Sequence, residues 1–171
     1  TKKKTVYLTF AGDSIKYKFS PKGTETVVSA AAFAPNGVIF APNATLVLEG
    51  TVSGQYTVGV SGNKGSRGSV ILNDDIVYKN DPRTSSGPTD MLGIVAKKNV
   101  IIADNSANNS DINIDASIYC EKGGFTAENY NTRWSSGDIN LYGGIIQNKR
   151  GPVGTFNSWT GNISTGFAKK Y

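Results

Sequence analysis

The chain has 171 residues, the size of one domain, with 38% apolar side chains, 18% charged side chains and 20 glycines, a turn-rich mixture that argues against a helical protein. It holds no histidine and a single cysteine, Cys120, which excludes Ser-His-Asp and Cys-His catalysis, His-ligated zinc and an intramolecular disulfide. The net charge of +5 belongs to the N-terminus: up to Lys22 six lysines (Lys2, Lys3, Lys4, Lys16, Lys18, Lys22) face Asp13 alone, and the remaining 12 basic and 12 acidic side chains cancel.

The chain opens at Thr1 with three lysines and no visible leader, and it reads as a segment of a longer protein. Thr5 to Phe19 (TVYLTFAGDSIKYKF) alternates as Val6, Leu8, Phe10 and then Ile15, Tyr17, Phe19. That predicts a β-hairpin turning at Ala11-Gly12-Asp13-Ser14. Thr24 to Ala34 (TETVVSAAAFA) is the one segment that reads as a helix. Gly37 to Ala41 (GVIFA) reads as a strand. No apolar run approaches the length of a membrane span, so no membrane insertion by this segment is expected.

From Thr45 the sequence repeats. Thr45 to Gly68, Ser69 to Ser110, Asp111 to Gly137 and Asp138 to Gly161 can be written under one another, at 24, 42, 27 and 24 residues. The excess in the second copy falls at Asp81 to Thr89 and around Val100 to Asn108, as insertions placed in turns. A first strand alternates in Leu46 and Leu48, Val70 and Leu72, Ile112 and Ile114, Ile139 and Leu141. A second strand carries Ile76, Ile118 and Ile145. A third carries Tyr56 and Val58, Ile94, Phe125 and Phe156. Period-two runs of this length separated by Gly, Asn and Asp are strands. The expected fold is all-β: a right-handed parallel β-helix, or solenoid, of about four to five coils, with the N-terminal hairpin as a cap. Ile112 and Ile139, and Ile118 and Ile145, become neighbouring rungs. Residues 1–36 form the hairpin and cap, and residues 37–171 the solenoid, as one compact unit. A β-sandwich is the alternative, since short strands at this spacing fit it too.

Several stretches are specific: Asn80-Asp81-Pro82-Arg83; Asp90 to Val100 (DMLGIVAKKNV); Glu128-Asn129-Tyr130; Gly137 to Gln147 (GDINLYGGIIQ); and Arg150 to Phe156 (RGPVGTF). Together they resemble an uncharacterised family of bacterial envelope domains found in minor-pilin-like proteins near type IV pilus genes. The resemblance covers residues 36–171, roughly four fifths of the chain. It implies an exported β-solenoid at the cell surface with pilus or envelope proteins as partners. It brings no enzymatic activity and no catalytic residues. A weaker resemblance to the cellulose-binding tāpirins implies a plant polysaccharide as ligand.

The residues themselves offer few catalytic sets. Asp74 and Asp75 are adjacent, so in a strand they point to opposite faces and do not converge as a glycosidase pair requires. Asp111, Asp115 and Asp138 cap turns; a calcium ion between Asp111 and Asp138 is the one metal reading, and no cofactor is otherwise expected. Trp134 and Trp159 fall outside the alternating runs. With Arg133, Tyr130, Asn131 and Asn157 they suit a stacking platform for sugars or unpaired bases. The competing expectation is that both indoles cover a loop or the C-terminal end. Lys97, Lys98, Lys149 and Arg150, with Lys64 and Arg67, suggest a basic ridge for phosphate or acidic glycan. Cys120 reads as a small core residue. The functional expectation is a non-enzymatic extracellular module for display, adhesion or ligand binding. The alternatives are a plant-polysaccharide-binding adhesin domain, a DNA-binding pilus component and, last, a small polysaccharide lyase or hydrolase.

Overall fold

A computed structural model describes residues 5–170. Lys2, Lys3 and Lys4, half of the basic N-terminal set, lie outside the described residues. The chain first forms β1 (Thr5–Gly12) and β2 (Ser14–Lys18), an antiparallel hairpin in which Ala11 faces Ser14. Gly12 opens the two-residue link at φ +63°, a conformation that a glycine supplies without strain. β3 (Thr26–Ser29) adds antiparallel to β2. The helix expected over Thr24 to Ala34 is therefore reduced to α1 (Ala30–Phe33), a single turn. Thr26, Val27 and Val28 are β-branched and pair with Tyr17, Lys16 and Ile15, so the strand wins over a short helix.

The rest of the chain is β4 (Val38–Ala41), β5 (Thr45–Val52), β6 (Gln55–Val60), β7 (Val70–Tyr78), β8 (Met91–Ala96), β9 (Val100–Ile102), β10 (Ile112–Asp115), β11 (Ser117–Cys120), β12 (Phe125–Ala127), β13 (Ser135–Tyr142), β14 (Ile145–Gln147), β15 (Gly154–Phe156) and β16 (Ile163–Lys170). The protein is nearly all β, and its sheets are largely parallel. Three parallel ladders carry successive passes of the chain. In the first, β4, β6, β8, β11 and β14 align Ile39, Val58, Ile94, Ile118 and Ile145 in one row. In the second, the front halves of β5 and β7 pair on to β9 and β12, aligning Leu46, Val70, Val100 and Phe125. In the third, the rear halves of β5 and β7 pair on to β10 and β13, aligning Gly50, Ile76, Ile114 and Leu141.

Between Leu72 and Ile76 strand β7 carries extra residues opposite Glu49, and the register shifts there. Such a bulge bends a strand, and it leads β7 from the second ladder into the third. β1 closes one edge, in parallel with β5. Gly50 holds φ +110° at that contact, and a Cβ on it would stand 2.1 Å from the Phe10 carbonyl oxygen. The stacked rows and the hairpin residues Leu8, Phe10 and Ile15 form one core cluster.

The register corrects three expectations. Ile76 stacks with Gly50 and Ile114, not with Ile118 and Ile145. Tyr56, Val58 and Ile94 belong to the ladder of Ile118, not to that of Phe125. Phe156 is no rung: β15 runs antiparallel to β16, and Phe156 is 50% exposed. The run at Val100 is also a strand and not an insertion. The expected neighbours Ile112 with Ile139, and Ile118 with Ile145, are in register. Parallel pairing departs from the antiparallel sheets of a β-sandwich. Ile94 lies at the middle of its row with no exposure. Ile94→Ala is expected to lose about 3 kcal/mol of stability, since a cavity there has stacked neighbours on both sides. A urea midpoint unchanged from the wild type would contradict the stacking.

Candidate functional site

Trp134 and Trp159 sit at one end of the parallel pair β13–β16. Trp134 directly precedes β13, whose Ser135 stands opposite Gly166 of β16. Trp159 lies in the 157–162 link between β15 and β16, beyond the Phe156–Ile163 pair. Three residue steps along β16 separate the two levels, roughly 10 Å of strand. Both backbones are pinned. The Trp134 carbonyl accepts from Gly166 N at 3.2 Å and from Ser136 Oγ at 3.0 Å. Asn157 Oδ1 accepts from Trp159 N at 2.9 Å and Thr160 N at 3.0 Å, an Asx turn. Asn157 N donates to Asn162 O at 2.8 Å, closing the link.

On these held backbones the indoles are 90% and 95% exposed. Neither covers a loop or an end, and neither makes a ring contact among the described residues. Burying an indole removes about 150–250 Å² from water. At about 25 cal/mol per Å² that is roughly 4–6 kcal/mol left unrealised at each site.

Arg133 is not part of this surface, which corrects its expected role. Its residue exposure is 4%. Nη2 donates to Asn108 O at 2.7 Å, Nη1 to Ala103 O at 3.2 Å, and Nε to Ser136 Oγ at 3.1 Å. The guanidinium stacks 4.6 Å from the Phe167 ring centroid. Burial lowers its pKa, while Asp104 and Glu128 pull it back up. Arg133 is thus a pin between two loops. Tyr130 is half-buried against the core, and its carbonyl accepts from Thr165 Oγ1 at 2.8 Å. Asn131 is exposed beside it.

The expected basic ridge divides. Lys97 is ion-paired to Glu121. Arg67 is buried at 8% exposure, and Lys64 lies with it in a different cleft. Lys98, Lys149 and Arg150 line one open groove of about 510 Å³ with Lys122. Lys122 is absent from the sequence-based set. Its signal was the alignment of Cys120 with Ala96, which puts Lys122 level with Lys98.

The acidic residues are engaged by the chain. Asp75 accepts from Asn113 N at 2.8 Å and from its Nδ2 at 2.9 Å. Asp111 Oδ1 accepts from Asp138 N at 2.8 Å, joining two passes at the expected calcium position. Asp115, 5% exposed, accepts from Tyr78 N at 2.9 Å and pairs with Arg83 at 3.0 Å. Arg83 also holds Asp81 at 2.8 Å and lies 4.3 Å from the Tyr142 ring centroid. Asp90 accepts from Gly54 N at 2.6 Å and from Asn80 N, which fixes the base of the inserted loop. Cys120 is buried, and burial pushes its thiol pKa up, away from a reactive thiolate. No group of three metal-ligating side chains occurs among the described residues. No helix among them is long and apolar enough to cross a membrane.

These observations define a nearly all-β protein of stacked parallel strands that displays two bare indoles and a basic groove. Comparison of the chain with family models, with curated proteins and with solved structures finds no match.

Proposed function

We propose that this is a non-enzymatic, extracellular module of a bacterial surface or type IV pilus-associated protein, acting in display, adhesion or ligand binding. The three ladders are the faces of a β-solenoid. Its coils wind right-handed, the hand that parallel strand connections take in nearly all cases. The hairpin β1–β2 caps its first edge, as open solenoid ends require. The address and the envelope or pilus partners rest on the resemblance of the stretches from Asn80 to Phe156.

The observation that carries binding is the pair of indoles held out on pinned backbones. Such surfaces stack on sugar rings, which favours a polysaccharide-binding adhesin domain as the specific form of the reading. The absence of catalysis is supported by the carboxylates: Asp75, Asp90, Asp111 and Asp115 are each taken up by backbone N–H donors.

Co-sedimentation with insoluble cellulose tests this. The wild type is expected in the pellet, and Trp134→Ala with Trp159→Ala together should leave it in the supernatant with an unchanged melting temperature. A double variant that still pellets would remove the indoles from the binding surface.

A further inference from the structure

Ala96 and Cys120 are partners across β8 and β11, and Cys120 and Gln147 across β11 and β14. Two residues after each partner comes a lysine: Lys98, Lys122 and Lys149. The backbone keeps this alignment through the first of the two corners. Lys122 N donates to Lys97 O at 3.2 Å, in the register of Lys122 with Lys98, whereas Lys149 N donates to Gly123 O at 3.0 Å, which sets Lys149 two residues past Lys122. Arg150 follows directly. Lys98 and Lys122 thus stack at about 4.8 Å on successive coils, and Lys149 and Arg150 of the next coil join them in one lining.

These four cations line one groove of about 510 Å³. No carboxylate lines it. Lys98 Nζ donates to Asn63 O at 2.7 Å and to Gly65 O at 2.8 Å, bonds that neutralise no charge. The side chains of Lys122, Lys149 and Arg150 make no hydrogen bond or ion pair among the described residues. Beyond Lys22 the chain has as many acidic as basic side chains, so this concentration is local. Like charges one coil apart repel, and that repulsion is relieved when a chain of anions lies along the stack.

We propose that this groove binds a linear anionic polysaccharide, a chain of carboxylate-bearing sugars, running parallel to the coil axis. The lining favours a glycan over nucleic acid. Single-stranded nucleic acid sites combine cations with aromatic stacking platforms, and no aromatic residue lines this groove. Asn99 lines it, and its Oδ1 is taken by Gly124 N at 3.0 Å. Its Nδ2 donor is left for a sugar hydroxyl or carboxylate. Trp134 and Trp159 line no part of the groove, so the site stands independently of the platform they form.

Calorimetric titration with polygalacturonate tests the proposal, with fully methyl-esterified pectin, single-stranded DNA and duplex DNA as comparisons. The wild type should bind polygalacturonate, weaken as salt rises, and ignore the esterified polymer. The triple variant Lys122→Gln, Lys149→Gln, Arg150→Gln should lose about tenfold or more in affinity with a melting temperature equal to or above the wild type's. Lys64→Gln, outside the groove, should bind as the wild type does. Wild-type affinity in the triple variant, no binding of polygalacturonate, or equally tight DNA binding lost in the same variant would each overturn the proposal.

Discussion

Arg133→Ala is expected to cost about 4 kcal/mol of folding stability, while Trp134→Ala next to it should cost under about 0.5 kcal/mol. The Arg133 side chain is 1% exposed, yet its charge has two formal routes of compensation: carbonyl oxygens of Asn108 and Ala103, and Asp104 at 3.7 Å. Alanine leaves a cavity beside Phe167 and strips the Asn108 carbonyl of its donor, while the Ala103 carbonyl keeps Asn108 Nδ2 at 3.1 Å. Asn108 Oδ1 already lacks a partner among the described residues, so this corner has no spare donor to offer. Removing one member of a buried charged network typically costs 3–5 kcal/mol, a large part of the roughly 5–15 kcal/mol that holds a domain together. Chemical denaturation of the two variants side by side measures this. Equal losses would mean that Arg133 is not the pin. Because Arg133 and Trp134 are sequence neighbours, the pair also separates stability from binding: one variant should lose stability, the other only the ligand.

Asp90→Ala should cost about 3–4 kcal/mol and release the inserted loop. Asp90 is 5% exposed and gathers Gly54 N, Asn80 N and Asn80 Nδ2 on one carboxylate. Without it two backbone donors are left unmet near the base of the 81–89 segment, each costing about 1–3 kcal/mol. Asparagine is no rescue, because its Nδ2 would face one of those donors. Limited trypsin digestion supplies the local readout. Arg83 is held by Asp81 and Asp115, so the wild type should resist cleavage there and the variant should be cut. A loop equally resistant in both would contradict the anchoring role.

Much of the architecture was legible because a period of two, broken by Gly, Asn and Asp, leaves few alternatives to short strands. The pairs Ile112–Ile139 and Ile118–Ile145 followed directly, since their segments have the same length between turns. Ile76 did not, because its position depends on the bulge at Asn73 to Asp75. Apolar runs alone do not say on which side of a bend a strand continues. The segment at Thr26 to Ser29 was misread because alanines follow it; its own β-branched residues decided for pairing with β2. The indoles stood out by lying outside the alternating runs, but exposure depended on which neighbour turned inward, and that was Arg133. Of the four groove cations, Lys98, Lys149 and Arg150 stood out as paired basic residues in turns; Lys122 did not, because its place depends on the register of Cys120 with Ala96, which sets it level with Lys98.

Intrinsic tryptophan fluorescence, titrated with soluble and insoluble polysaccharides, tests the display of the two indoles most directly. The free protein should emit as a fully hydrated indole does. A polysaccharide ligand should shift that emission to the blue or quench it, with the response reduced in Trp134→Ala and in Trp159→Ala and absent when both are replaced. Emission that is blue-shifted before any ligand is added, and indifferent to every polysaccharide, would place the indoles in contact with the protein itself and leave the chain a structural stem.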